Sequence, residues 1–237
     1  MQHKAMCLVI CLSLPILATA KDKTKTKVDT TPNPIDNVLT GTVELNYYNI
    51  NTDCPVNTLY INPTIDYSAT NGWDFQIASY NIELVGDAQN NQADTYLNIS
   101  KTIQLPESFM VSLGTQNGIS LIGYDKSMHN VEYGLLVYQP NIALNLRAGT
   151  YWANKAITTT TDYIGFTGGF SVDLLPNLLT FVGDYFSGAN NLSGGTVNAW
   201  VKISPMAQFY FGVGVPETNS GNEFYGTTGF STIMGNI

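Results

Sequence analysis

Nine ionisable residues sit where a two-residue period would gather them on one face of successive strands. They are the carboxylates Glu44, Asp66, Asp74, Glu132, Asp173, Asp184 and Glu223, and the bases Arg147 and Lys202. Most are flanked by apolar residues, as in Val43-Glu44-Leu45, Ile65-Asp66-Tyr67 and Val172-Asp173-Leu174. Successive side chains of a strand point to opposite faces, so each charge faces away from its apolar neighbours. If the apolar face meets lipid, the charges line an interior. Fixed carboxylates in a narrow wet channel concentrate cations and repel anions. The rival arrangement is a closed interior in which Arg147 and Lys202 each pair with an acid. Five acids then lack a basic partner, and a dry interior would have to protonate or hydrate them. The expectation is a wet, acidic lumen that passes small polar solutes or cations.

Other candidate chemistry is thin. His129 stands beside Ser127, Asn130 and Glu132. A serine–histidine pair oriented by an amide or an acid is a nucleophile–base arrangement. Adjacency in sequence does not create that geometry, and no nucleophile motif surrounds Ser127. His129 is read as a loop histidine, no catalytic residue is assigned, and the chain is expected not to be an enzyme. There is no metal-ligand cluster, phosphate loop or cofactor motif, so no metal and no cofactor are expected. The net charge of -8 offers no basic patch for nucleic acid.

The elements that must hold these residues are strands. Only 12% of the 237 residues are charged, about half the usual fraction of a soluble domain. The mean hydropathy is nevertheless +0.00, because Asn, Thr, Ser and Gly supply the polarity. Residues 1–20 read as a signal peptide: Lys4, an apolar core to Leu17, then Ala18-Thr19-Ala20 as the cleavage site. Cys7 and Cys11 leave with it, and Cys54 alone can form no intrachain disulfide. Residues 21–38, with Lys21, Lys23, Lys25 and Lys27, read as a flexible periplasmic segment. No later apolar run approaches the ~20 residues of a membrane helix.

Residues 39–237 alternate in strand period throughout. The hairpin within 162–195 shows the pattern: Ile164, Phe166, Phe170, Val172 and Leu174 against Tyr163, Thr167, Ser171 and Asp173. Short turns at Asn71, Pro106, Pro140, Pro176 and Pro205 share one end, and long polar loops share the other. That asymmetry predicts a transmembrane, antiparallel, up-and-down β-barrel of about 12 strands. Four local expectations follow. A bulge near Ala78 or Ser79 moves the apolar row to Tyr80, Ile82 and Leu84. Lys101 interrupts an outward row, by snorkelling or by a register shift. Residues 116–130 are the least regular part, a long loop with room for some local strand. Val131, Tyr133, Leu135 and Val137 form an apolar row, with Glu132 turned inward.

The whole chain beyond residue 20 resembles a small Gram-negative outer-membrane β-barrel. The run Pro63-Thr64-Ile65-Asp66-Tyr67-Ser68-Ala69-Thr70-Asn71-Gly72-Trp73, followed by Ser79-Tyr80-Asn81, is similar to strands of the TorF-type putative porins. The first strand lacks the Arg-Gly such proteins often carry, and the last lacks a terminal Phe. The resemblance implies an outer-membrane bilayer, the outer-membrane assembly machinery as partner, and porin-like transport. The alternatives are a non-conducting structural or adhesive barrel, with the loops at 86–94 and 187–195 as its working surface, and an outer-membrane lipid hydrolase.

Overall fold

The computed structural model describes residues 37–48, 58–86, 93–122, 127–158 and 160–236. The expected leader with its cleavage site near Ala20, the lysines of the following segment, Cys54 and most of the expected 86–94 loop lie outside the described residues.

The strands are β1 (Val38–Tyr48), β2 (Thr58–Ser68), β3 (Trp73–Tyr80), β4 (Ile82–Val85), β5 (Ala93–Gln104), β6 (Phe109–Ile122) and β7 (Met128–Asn141). After them come β8 (Leu144–Ala153), β9 (Ile164–Leu175), β10 (Leu179–Phe186), β11 (Gly194–Ser204), β12 (Ala207–Pro216) and β13 (Tyr225–Asn236). One helical turn, α1 (Lys155–Thr158), lies between β8 and β9. All pairings are antiparallel, and β13 returns to β1, Val43 opposite Phe230. β3 and β4 lie end to end along β2. Thirteen segments therefore make a closed barrel of twelve wall strands, as the alternation predicts.

The wall is apolar outside. Ile65, Ile77, Leu113 and Phe211 are each more than half exposed, while their chain neighbours Asp66, Gln76, Ser112 and Tyr210 are buried. An exposed apolar belt of this kind needs lipid around it. The short turns all fall at one end, where left-handed Asn177 (φ 61) and Gly72 (φ 82) close two of them.

The four local expectations fare differently. The phase break comes later than Ala78. Tyr80 keeps the interior row, 2% exposed, and Asn81, at φ 60, resets the strand. Asn tolerates this backbone, and the Asn81 N–H donates to Asn62 Oδ1 at 2.8 Å. Lys101 snorkels: its Nζ donates to the Asn71 carbonyl at the adjacent turn and lies 5.2 Å from the Trp73 ring. Residues 116–122 and 128–130 are strand, and residues 123–126 lie outside the described residues. In the strand parts Asn, Gln, Ser and Gly hide the alternation, because the outward row turns polar at Asn117 and Asn130.

The phase of β7 is the reverse of expectation. Val131, Tyr133, Leu135 and Val137 are buried inside, whereas Leu136 and Tyr138 face out. Both faces of this strand are largely apolar, so alternation could not choose between them. What chooses is the apolar cluster that Val131 joins with Tyr80, Tyr96, Tyr151, Ile157 and Leu192 under the loops.

Candidate functional site

Five of the seven expected carboxylates occupy inward rows, each held by a local network. Glu44 of β1 accepts from Asn46 Nδ2 (2.9 Å), Asn62 Nδ2 (3.1 Å) and the Tyr210 hydroxyl (2.6 Å). Asp66 accepts from Gln76 Nε2 (2.5 Å) and Thr64 Oγ1 (3.3 Å), and Gln76 accepts in turn from Asn98. Asp74 accepts from Ser100 Oγ at 3.5 Å, and Asp173 from Thr180 Oγ1 at 2.6 Å. Asp184 forms an ion pair with Arg147, whose Nε lies 3.1 Å away. Lys202 is half-buried on the inward row near the turn end.

Two acids are elsewhere. Glu132 stands exposed on the outer wall, because the phase of β7 is reversed. Glu223 is exposed in the connection before β13 and lies on no strand. Apart from Asp184, the inward acids are satisfied by amides and hydroxyls rather than by bases. Weighing basic partners only against water overlooked these neutral donors.

These networks leave little open space. Tyr96 is 0% exposed, Gln116 1% and Asn62 2%. A wall residue beside a water-filled channel would keep its inner face exposed. Inward tyrosines lie flat on glycines of neighbouring strands: Tyr96 on Gly118 and Tyr133 on Gly114, where an added Cβ would fall 2.4 and 2.3 Å from the ring. Such ring-over-glycine contacts fill the groove a missing side chain leaves. Near the loop end the 187–193 connection folds inward. Asn190, fully buried, donates to the Tyr151 hydroxyl (2.9 Å) and the Asp162 carbonyl (3.0 Å). Asn222 Nδ2 ties it down further through the Ser193 carbonyl at 2.7 Å. Much of a loop read as free surface is thus a cap. The interior is more open toward the turn end, where Asp74, Asp173 and Lys202 are only half-buried.

Beneath this cap lies a constellation that sequence reasoning set aside. His129 is on β7, buried and inward. Its Nδ1 meets the Tyr96 hydroxyl at 2.7 Å, and its Nε2 meets Ser127 Oγ at 3.2 Å. Asp94, 2% exposed and two residues from Tyr96 on the same face, interacts electrostatically with His129. Asp94 was read as the end of a loop and Tyr96 was not singled out. The available signal was the matching two-residue spacing of Asp94-Tyr96 and Ser127-His129.

No family model and no curated protein matches the chain, so the resemblance to TorF-type porins has no support beyond the barrel class. Solved structures share the fold. Outer membrane phospholipase A from Escherichia coli aligns at 9% identity and a TM-score of 0.49, covering 93% of this chain and 96% of that one. The Salmonella typhi outer membrane phospholipase dimer with bound calcium aligns at 10% identity and 0.47, covering 90% and 95%. The likeness is one of fold, that of an outer-membrane barrel. The expectation that the chain is not an enzyme is corrected here. Its own Ser127 Oγ and His129 Nε2 stand within hydrogen-bond reach at 3.2 Å.

Proposed function

We propose that this protein is an outer-membrane barrel that rests closed, with its role carried by the capped loop end and the outer wall rather than by a standing pore. The observation that supports this is the burial of inward wall residues, Gln116 and Asn62 in mid-strand and Tyr96 nearer the loop end, each at 2% exposure or less. The competing porin-like, cation-preferring reading rests on the acid-rich inward rows. Planar-bilayer recording of correctly folded protein separates the two. A closed barrel gives no steady conductance, whereas stable unitary steps with cation preference would establish the porin.

A second reading is favoured by the 3.2 Å contact between Ser127 Oγ and His129 Nε2. In it Ser127 attacks an ester carbonyl while His129 takes the hydroxyl proton and returns it to the leaving alcohol; water then releases the acid. That order requires the tautomer in which Nδ1–H donates to the Tyr96 oxygen. A fluorophosphonate probe should label Ser127 and lose the label in His129→Ala. An unlabelled wild type removes this reading without touching the first.

A further inference from the structure

Most of the outer wall is apolar over its full height. Phe209, Phe211, Val213 and Val215 follow one another along β12, and Ile164, Phe166 and Leu174 bracket β9. On β6 and β7 the belt is interrupted. Thr115, Asn117, Asn130 and Glu132 all take outward positions, Asn117 opposite Asn130 and Thr115 opposite Glu132. This is an island rather than the edge of the belt. Ile119 and Met128 face outward on its loop side, 50% and 69% exposed, and Leu113 and Leu136 on its turn side, 55% and 49%.

The amides satisfy one another in part. Asn130 Nδ2 donates to Asn117 Oδ1 (2.8 Å) and Thr115 Oγ1 (3.3 Å), and Asn117 Nδ2 donates to Thr115 Oγ1 (3.0 Å). Among the described residues no side chain bonds the Glu132 carboxylate. Its height can be placed from the turn-end ring pair Phe109 and Tyr138, whose centroids are 4.8 Å apart. Glu132 is six residues further along β7. At ~3.4 Å per residue and a ~40° tilt that is roughly 16 Å of height. An apolar band is about 25 Å tall, so the island lies within it.

Acyl chains offer nothing to a carboxylate or an amide. Polar side chains within a membrane bind one another across an interface, and small residues beside them let two walls approach. Such residues adjoin the island, with Thr150 opposite Gly134 and Ala148 opposite Gly168.

We propose that this face of β6, β7 and β8 is the contact between two copies of the chain in the membrane. An isologous pair brings the same patch to itself. The patch holds both halves of its own complement, the second amide N–H of Asn117, which makes no bond within the patch, and an acceptor in Glu132. A lipid headgroup fits less well. The outward row of Ile119 and Met128 lies between the island and the loop end.

The test uses the full chain, folded in detergent and in bilayer nanodiscs. Sedimentation in density-matched detergent should give a dimer. Replacing Asn117, Asn130 and Glu132 together by Leu should weaken it by at least about tenfold, while the control Phe211→Leu on another part of the wall leaves it unchanged. Should the triple variant fail to fold, Glu132→Cys in a Cys54→Ser background decides: mild oxidation in bilayers should cross-link it to a dimer, and Val213→Cys should not cross-link. A monomeric wild type with no cross-link overturns the proposal. So does stoichiometric lipid on a monomer that the triple variant loses, which would assign the island to a headgroup.

Discussion

Glu44 shows how this interior keeps charge without a base. Three donors from three strands converge on one carboxylate, Asn46 on β1, Asn62 on β2 and Tyr210 on β12. Tyr210→Phe removes one donor and leaves the acid buried, so it should destabilise the folded barrel by about 1–3 kcal/mol in urea titrations followed by gel mobility. Tyr67→Phe, on the outward row of β2 and away from those three bonds, is the control. The Arg147–Asp184 pair predicts a larger and asymmetric effect, because the two side chains are only 7% and 17% exposed. Arg147→Met strands Asp184 and should cost about 3–5 kcal/mol, whereas adding Asp184→Leu should recover much of the loss. Equal effects of the single and double variants would mean that Asp184 has an undetected second partner.

At the scale of the strands, ring-over-glycine contacts set the spacing of the interior. Gly118→Ala puts a methyl group 2.4 Å from the Tyr96 ring, so overpacking should destabilise by about 1–3 kcal/mol. Gly235→Ala, where a Cβ meets nothing within 4 Å, should be neutral in the same titration. The strands were legible in the sequence because lipid outside and polar groups inside write a period of two, as in β9 and β12. β7 was not, since Val131 and Leu136 are apolar on opposite faces and only the packing of the interior tells them apart. The polar stretch at 116–122 read as a loop for a related reason: Asn117 faces out and Gln116 faces in, so no apolar row remained. The site was half legible. Residues such as Asp66 and Asp173 follow from alternation, but their neutral donors come from other strands and leave no local signal. Tyr96 and His129, on β5 and β7, are brought together only by β6 between them.

For the molecule as a whole, the proposed closed state raises the question of what would shut an acid-rich interior. The acids Glu44, Asp66, Asp74 and Asp94 remain inside, each at a strand position facing inward. In that reading the constriction is built from rings: Tyr80 and Tyr96 lie with centroids 5.6 Å apart, and Tyr96 meets His129 at 5.8 Å. Removing the rings should therefore open the barrel without changing its charge. Tyr80→Ala with Tyr96→Ala should turn a silent protein into one with measurable conductance in planar bilayers. Fixed carboxylates act over about 8–10 Å at physiological salt, so the opened pore should favour cations, with a reversal potential displaced toward that of the cation in a salt gradient. Adding Asp94→Asn and Asp74→Asn should move that potential toward zero. Phe166→Ala, on the outer wall, should leave the protein silent. If the double variant folds, runs as a compact barrel on unheated gels and still passes no current, then the apolar cluster with Ile157 and Leu192 is the true seal, and the tyrosines only line it.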